Sequence, residues 1–132
     1  MYEEGESEND LSLMLQNQYQ HIEDYCNAQT LMCNSFNNSA TSKDSSARVD
    51  RLLRCTQLVR QDLQQLEKFI LDNRNSRLEA HIATSKRVIK TVAQNPSWHR
   101  NGIPSQQTPD IEANTVALAA LKASISVVLN GH

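Results

Sequence analysis

The stretch that decides the fold is residues 46–72, SARVDRLLRCTQLVRQDLQQLEKFILD. Its core-type positions follow a heptad spacing of three and four residues, at Val49, Leu52, Thr56, Val59, Leu63, Leu66 and Ile70. Glycine and proline, which most often interrupt regular structure, are absent from the ninety residues between Gly5 and Pro96. The pattern therefore predicts a long amphipathic helix with coiled-coil-like packing inside a bundle.

Three further helices are predicted around this stretch. The first, about residues 10–36, has a core-facing stripe at Leu11, Leu15, Gln18, Ile22, Tyr25, Gln29, Met32 and Phe36. The third, residues 76–94, opens with Ser76 and Glu79 at the spacing of a capping box, which predicts Ser76 as the cap. The fourth, residues 109–129, begins after Thr108, with a proline at the first helical position.

These helices predict a single all-α domain over residues 10–130, an antiparallel up-down-up-down four-helix bundle. The short connections between the first three helices favour antiparallel neighbours. Residues 1–9 are polar and acidic, and are predicted to be a flexible N-terminus. An alternative interpretation is one continuous helix over residues 46–94 with a shift of register in its middle.

Charge is segregated along the chain, although the net charge is only −2. Residues 1–42 carry seven acidic residues and no lysine or arginine, whereas residues 43–90 carry eleven basic residues against six acidic ones. One interpretation is that the acidic first helix packs against the basic middle helices. The other is a basic face for an anionic partner, formed by Arg48, Arg51, Arg54, Lys86, Arg87 and Lys90. The acidic overall balance and the scarcity of aromatic residues in this region disfavour nucleic acid as that partner.

No residue pattern predicts catalysis, and we expect no enzyme activity, no cofactor and no bound metal. A di-iron bundle needs Glu-x-x-His on two helices, and that spacing does not occur. Histidine phosphotransfer domains are four-helix bundles of about this size, and the segment around His81 resembles their motif in part. Lys86 and Arg87 follow His81 late, and the glycine that lets a response regulator approach is missing. Phosphotransfer at His81 is an alternative function.

The function that remains is a non-enzymatic protein–protein interaction module, an adaptor or a small subunit of a larger complex. Trp98 and Arg100, in the loop before the fourth helix, are predicted partner-binding residues because both residue types are enriched at interface hot spots. The alternative for Trp98 is a buried ring that caps the end of the bundle. A second predicted partner surface is a strip of small side chains on the fourth helix, at Ala117, Ala120 and Ser124.

The fourth helix also predicts a homodimer. Its larger apolar face is expected to fill the core with Ile111, Leu118, Leu121, Ile125 and Val128. Between Ala113 and Leu129 its only charge is Lys122. If the small strip faces solvent, a symmetric dimer through this helix follows; if neighbouring helices enclose the strip, it belongs to the core.

Cysteine usage and hydropathy give expectations for the compartment. Cys26, Cys33 and Cys55 are an odd number without a pairing framework, which favours a reducing intracellular compartment, above all the cytoplasm. The longest apolar stretch, Ala117–Leu129, is interrupted by a lysine and two serines, so no membrane span is predicted.

Overall fold

Four helices make up the residues that the computed structural model describes, which are 2–37, 42–73, 75–93 and 111–130. Side chains are described for residues 10–31, 47–73, 75–93 and 111–130. The helices are α1, Tyr2–Asn37; α2, Ser42–Asp72; α3, Ser76–Ala93; and α4, Ile111–Asn130. Over this part of the chain the predicted all-α fold is confirmed.

The first two helices begin earlier than the sequence predicts. α1 starts at Tyr2 instead of about residue 10, so residues 2–9, predicted to lie outside the helices, are helical. Acidic residues are favourable near the positive end of a helix dipole, which accounts for a helix in this acidic stretch. α2 starts at Ser42 instead of about residue 46. The predicted start of the fourth helix, at residue 109, lies outside the described residues.

α2 ends at Asp72 and α3 begins at Ser76, so the helices are separate, as predicted. The alternative of one helix over residues 46–94 is therefore wrong. The last helical bond of α2 is donated by the backbone N–H of Asn73 to the Phe69 carbonyl oxygen, at 3.0 Å. The side-chain Nδ2 of Asn73 donates to the same oxygen at 3.2 Å. One asparagine thus satisfies a carbonyl oxygen in the last turn of the helix.

The cap of α3 is Asn75, one residue before the predicted cap. Asn75 Oδ1 accepts hydrogen bonds from the backbone N–H groups of Arg77, at 2.9 Å, and Leu78, at 3.3 Å. The Asn75 carbonyl oxygen accepts the first helical bond, from the Glu79 N–H at 3.0 Å. Ser76 is the first helical residue, and its prediction as the cap is wrong. Asparagine and serine cap helices about equally well, so the capping-box spacing of Ser76 and Glu79 was not enough to choose between them.

Mutation can test whether Asn75 or Ser76 caps α3. We expect Asn75→Ala to lower the free energy of unfolding by about 1 kcal/mol, because two N–H groups of α3 lose their acceptor. Ser76→Ala is the matched control, and its expected effect is within about 0.5 kcal/mol. Urea unfolding followed by far-UV circular dichroism measures both. A larger loss in Ser76→Ala than in Asn75→Ala would restore the serine as the cap.

The helices pack side by side in a bundle-like arrangement around one core. α1 packs mainly against α2, and α3 packs mainly against α4. Smaller contacts join α1 to α4 and α2 to α3. Buried side-chain hydrogen bonds also join α1 to α3. The largest fully buried apolar side chains are Leu15, Ile22, Leu66, Leu78 and Leu121.

Only some of the predicted heptad positions of α2 are buried. Val59 and Leu66 are buried as predicted, and the other heptad positions are half-buried. Cys55 and Asp62 are also buried, which gives a line at spacings of four, three and four residues. This line still repeats every seven residues, but Cys55 and Asp62 are buried in it where the predicted heptad has Thr56 and Leu63.

Candidate functional site

Six polar side chains are buried among the described residues, and most of their hydrogen bonds join one helix to another. They are Gln18 and Gln29 on α1, Asp62 on α2, His81 and Ser85 on α3, and Asn114 on α4. Each has a hydrogen-bond partner, because none of the described buried side-chain nitrogen or oxygen atoms lacks one. The bonds form three groups, at His81, at Gln29 and at Asp62.

His81 is the centre of the largest group. Its Nε2 lies 2.7 Å from Gln18 Oε1, and its Nδ1 lies 2.6 Å from Ser124 Oγ on α4. Because an amide oxygen only accepts hydrogen bonds, Nε2 carries the hydrogen and Nδ1 accepts one from the Ser124 hydroxyl. Ser85 completes the group: its Oγ accepts from Gln18 Nε2 at 2.9 Å and donates to the His81 carbonyl oxygen at 2.8 Å. A neutral imidazole satisfies all of these bonds.

Burial fixes the charge state of His81. The residue is 0% exposed, and burial lowers the pKa of its imidazole from 6.5 to about 4. The neutral ring is therefore the form present near neutral pH. A histidine that receives a phosphoryl group must be reachable by the donor protein. His81 is enclosed by α1, α3 and α4, so this conformation does not offer it to a donor.

A second group joins α1, α3 and α4 farther along the bundle. Gln29 Nε2 donates to the Val92 carbonyl oxygen at 2.5 Å. Asn114 Nδ2 donates to Gln29 Oε1 at 3.4 Å. These contacts and those of His81 hold three helices in one register, because a slip of one residue would leave several buried polar atoms without a partner.

The third group joins α1 to α2. His21 Nδ1 and the Asp62 carboxylate are in direct contact, with both side chains partly shielded from solvent. Burial raises the pKa of the Asp62 carboxyl group, and the hydrogen bond and charge of His21 act against that rise. Among the described residues no group of three or more histidine, cysteine, aspartate or glutamate side chains could hold a metal ion.

The six basic residues predicted as one face have different surroundings. Arg48 is half-buried, and its Nη1 donates to the Leu31 carbonyl oxygen of α1 at 3.0 Å. Lys86 of α3 forms an ion pair with Glu67 of α2, at 3.4 Å between Nζ and Oε2. Lys90 is exposed on α3. Two of the six thus have partners on a neighbouring helix.

Two other members of that set, Arg51 and Arg54, lie near the α1–α2 contact. Burial raises the pKa of the Cys55 thiol, Asp24 of α1 adds to that rise, and the two arginines oppose it. An acidic residue of α1 and two basic residues of α2 therefore act on the same thiol. This arrangement agrees with the interpretation that the acidic first helix packs against the basic second helix.

The outer face of α4 exposes several apolar side chains. Its exposed large side chains are Ile111 at 63%, Val116 at 63%, Val127 at 41% and Leu129 at 42%. Val116, Ala120, Ala123 and Val127 are all exposed and follow one another at spacings of four, three and four residues. We call these four residues the α4 stripe. Such spacing places them along one side of the helix.

The predictions for α4 are partly corrected by these exposures. Leu121, Ile125 and Val128 are buried as predicted, but Ile111 is exposed, so its assignment to the core is wrong. The buried line of α4 passes instead through Asn114, a polar residue whose partner is on α1.

The three residues of the small strip predicted as a partner surface do not share one environment. Ala117 is buried, and Ser124 is bonded to His81, so both belong to the interior. Only Ala120 is exposed, as one member of the α4 stripe. Trp98 and Arg100, the other predicted partner-binding residues, lie outside the described residues.

A groove of about 500 Å³ runs between α3 and α4 beside the α4 stripe. Its lining is mainly apolar and includes Val88, Val116 and Ala120. Arg87 of α3 and Glu112 of α4 also line it. The Arg87 side chain is exposed, and its Nη2 donates to Thr84 Oγ1 on the same helix at 3.2 Å.

By length and composition, α4 is also a helix that can cross a membrane. It has 20 residues with a mean hydropathy of 1.4, and 22% of its most apolar window is buried in the bundle. Core helices of soluble proteins meet the same criterion, so the expectation of no membrane span stays a prediction. Comparisons with protein-family models, curated proteins and solved structures gave no match for this chain.

Proposed function

We propose that this chain is a non-enzymatic helical interaction module, an adaptor or a small subunit, that binds protein through the outer face of α4. The observation that carries the proposal is the exposure of Val116 and Val127 together with Ala120 and Ala123. Scattered apolar residues are normal on a protein surface, whereas a continuous apolar stripe is typical of an interaction site.

The groove beside the stripe supports the proposal. Its apolar lining continues the stripe onto α3, and it is flanked by charges of opposite sign, Arg87 and Glu112. Interfaces commonly have an apolar centre and a polar rim. An amphipathic helix from a partner fits such a groove, because helices bind grooves through apolar residues at spacings of three and four.

The function rests on a fold for which we propose the antiparallel up-down-up-down order. Side-chain contacts between the helices support this order. Arg48 bonds Leu31 while Asp62 contacts His21, so residue numbers fall along α2 as they rise along α1. Asn114 bonds Gln29, and Ser124 shares His81 with Gln18, which favours an antiparallel α4 against α1.

We also propose a reducing intracellular location. Cys26 and Cys55 are free thiols, and both are buried. Burial raises the pKa of Cys26 to about 11, with a smaller contribution from Glu23. A protonated, buried thiol reacts slowly with oxidants, which suits a structural role for these cysteines.

Site-specific photo-crosslinking in the cells that produce the chain tests the proposal. A photoreactive phenylalanine analogue at Ala119, exposed beside the α4 stripe, is expected to give a heavier covalent adduct on illumination. The same analogue at Gln64, exposed on α2, is the matched control and is expected to give little or none. Mass spectrometry identifies the partner peptide. Equal adducts at both positions, or none at Ala119, would contradict the proposal.

A further inference from the structure

We propose that a small pocket between α1, α2 and α3 binds a short-chain aliphatic carboxylate, with the alkyl tail inside the pocket and the carboxylate on Arg60. The described residues that line this pocket are Tyr25, Thr56, Val59, Arg60, Ile89, Val92 and Ala93. None of them belongs to α4, so the site goes beyond the interaction surface proposed above and does not depend on it.

The pocket has an apolar inner wall and a mouth that faces solvent. Val59 and Val92 are 5% and 2% exposed, so they lie at its inner end. Ile89 is half-buried, whereas Arg60 and Ala93 are exposed and lie at the mouth. Ligand pockets are commonly apolar with a few polar groups that orient the ligand. A molecule that enters here places its far end against valine side chains and its near end beside a guanidinium group.

The volume of the pocket sets the length of the apolar tail. The pocket measures about 110 Å³. An engineered apolar cavity of about 150 Å³ takes up benzene, so by volume a tail of about four carbon atoms fits here. Because each buried methylene group favours binding, a tail that fills the pocket is expected to bind better than a shorter one.

The charge of Arg60 determines which head group binds. Arg60 has no hydrogen-bond or ion-pair partner among the described residues. The hydroxyl hydrogen of Thr56 is already donated to the Leu52 carbonyl oxygen, at 2.9 Å. Burial raises the pKa of the Tyr25 hydroxyl group, so this part of the lining is uncharged near neutral pH. An arginine binds a carboxylate through two parallel hydrogen bonds, which makes a carboxylate the matching head group.

The test uses the purified full chain and a titration followed by ¹H–¹⁵N NMR spectra. Pentanoate, whose tail has the expected length, should shift the amide signals of the lining residues with a dissociation constant of about 1 mM. Acetate lacks the tail, and butylamine carries a positive head group on a tail of the same length. Both are expected to bind at least about 10-fold more weakly than pentanoate. Without saturable shifts up to about 20 mM pentanoate, or with butylamine binding equally well, the inference is overturned.

The variant Arg60→Gln tests the contact with the head group. It is expected to weaken pentanoate binding at least about 5-fold, and to change the binding of uncharged pentan-1-ol by less than about 2-fold. Arg54→Gln is the matched control, because Arg54 is exposed on the same helix and is not among the described lining residues. An equal loss of pentanoate binding in both variants, or an equal loss for pentan-1-ol, would contradict a carboxylate bound to Arg60.

The variant Ala93→Leu tests the pocket itself. The larger side chain fills the mouth and is expected to weaken pentanoate binding at least about 10-fold. Helix content is expected to stay unchanged, because the Ala93 side chain is exposed. Ala83→Leu is the matched control, at an exposed position of α3 outside the described lining. Pentanoate binding that survives both Ala93→Leu and Arg60→Gln places the ligand elsewhere and overturns the inference.

Discussion

Acidification from about pH 7 to about pH 4 is expected to lower the free energy of unfolding by about 3 kcal/mol through His81 alone. The pKa of this buried imidazole falls from 6.5 to about 4 in the folded chain. Each pKa unit corresponds to about 1.4 kcal/mol. Because the unfolded chain takes up a proton near pH 6.5 and the folded chain does not, stability falls as pH falls through this window. Above about pH 7 the ring is neutral in both states, and His81 adds no pH dependence.

The variant His81→Gln isolates this contribution. Its amide can hydrogen-bond but does not titrate, so its stability is expected to fall by about 3 kcal/mol less over the same window. Asp62 acts in the opposite direction, because burial raises the pKa of its carboxyl group and the folded state takes up that proton first. Urea unfolding at several pH values measures both proteins. The same pH dependence in the two would contradict a neutral, buried His81.

The helices were predictable because their signals are local. Periodicity and the absence of glycine and proline identify α2 and α3, and the break at Asp72 follows from a run of polar residues. Helix ends were less predictable. Asn75 and Ser76 are both good caps, and only the path of the backbone decides which one accepts the bonds.

The buried polar groups were only half predictable. Gln18 and Gln29 fall on the core-facing stripe of α1 by spacing, and both are buried. His81, Asp62 and Asn114 were not predicted to be buried, because polar residues on a helix are usually exposed to solvent unless they have a buried partner. The partners are on other helices, more than forty residues away in each case. A single sequence carries no signal for such pairs.

The exposed side of α4 was likewise not predictable from the sequence alone. Its apolar residues surround the helix, so hydropathy does not separate a core side from an outer side. The contacts of Asn114 and Ser124 with the interior fix the rotation of the helix and turn Val116 and Val127 outward. Two polar residues thus decided which apolar residues form the candidate interface.

The second large effect is expected from Gln18→Leu, with a loss of about 2 kcal/mol in the free energy of unfolding. The substitution removes the bonds to His81 Nε2 and Ser85 Oγ, and leaves buried polar groups with fewer partners. A buried group without a partner costs about 1–3 kcal/mol. Gln16→Leu is the matched control, because Gln16 is exposed on the same helix, and its expected effect is within about 0.5 kcal/mol.

A double-mutant cycle separates the hydrogen bond from packing. Replacing both partners of a buried bond by apolar groups is less harmful than orphaning one of them. We therefore expect Gln18→Leu combined with His81→Leu to be more stable than the two single effects predict, by about 1–2 kcal/mol. Urea midpoints at one fixed protein concentration measure all four proteins. If the single effects simply add, Gln18 and His81 act independently, and the polar group at the centre of this bundle does not fix the register of α1 against α3.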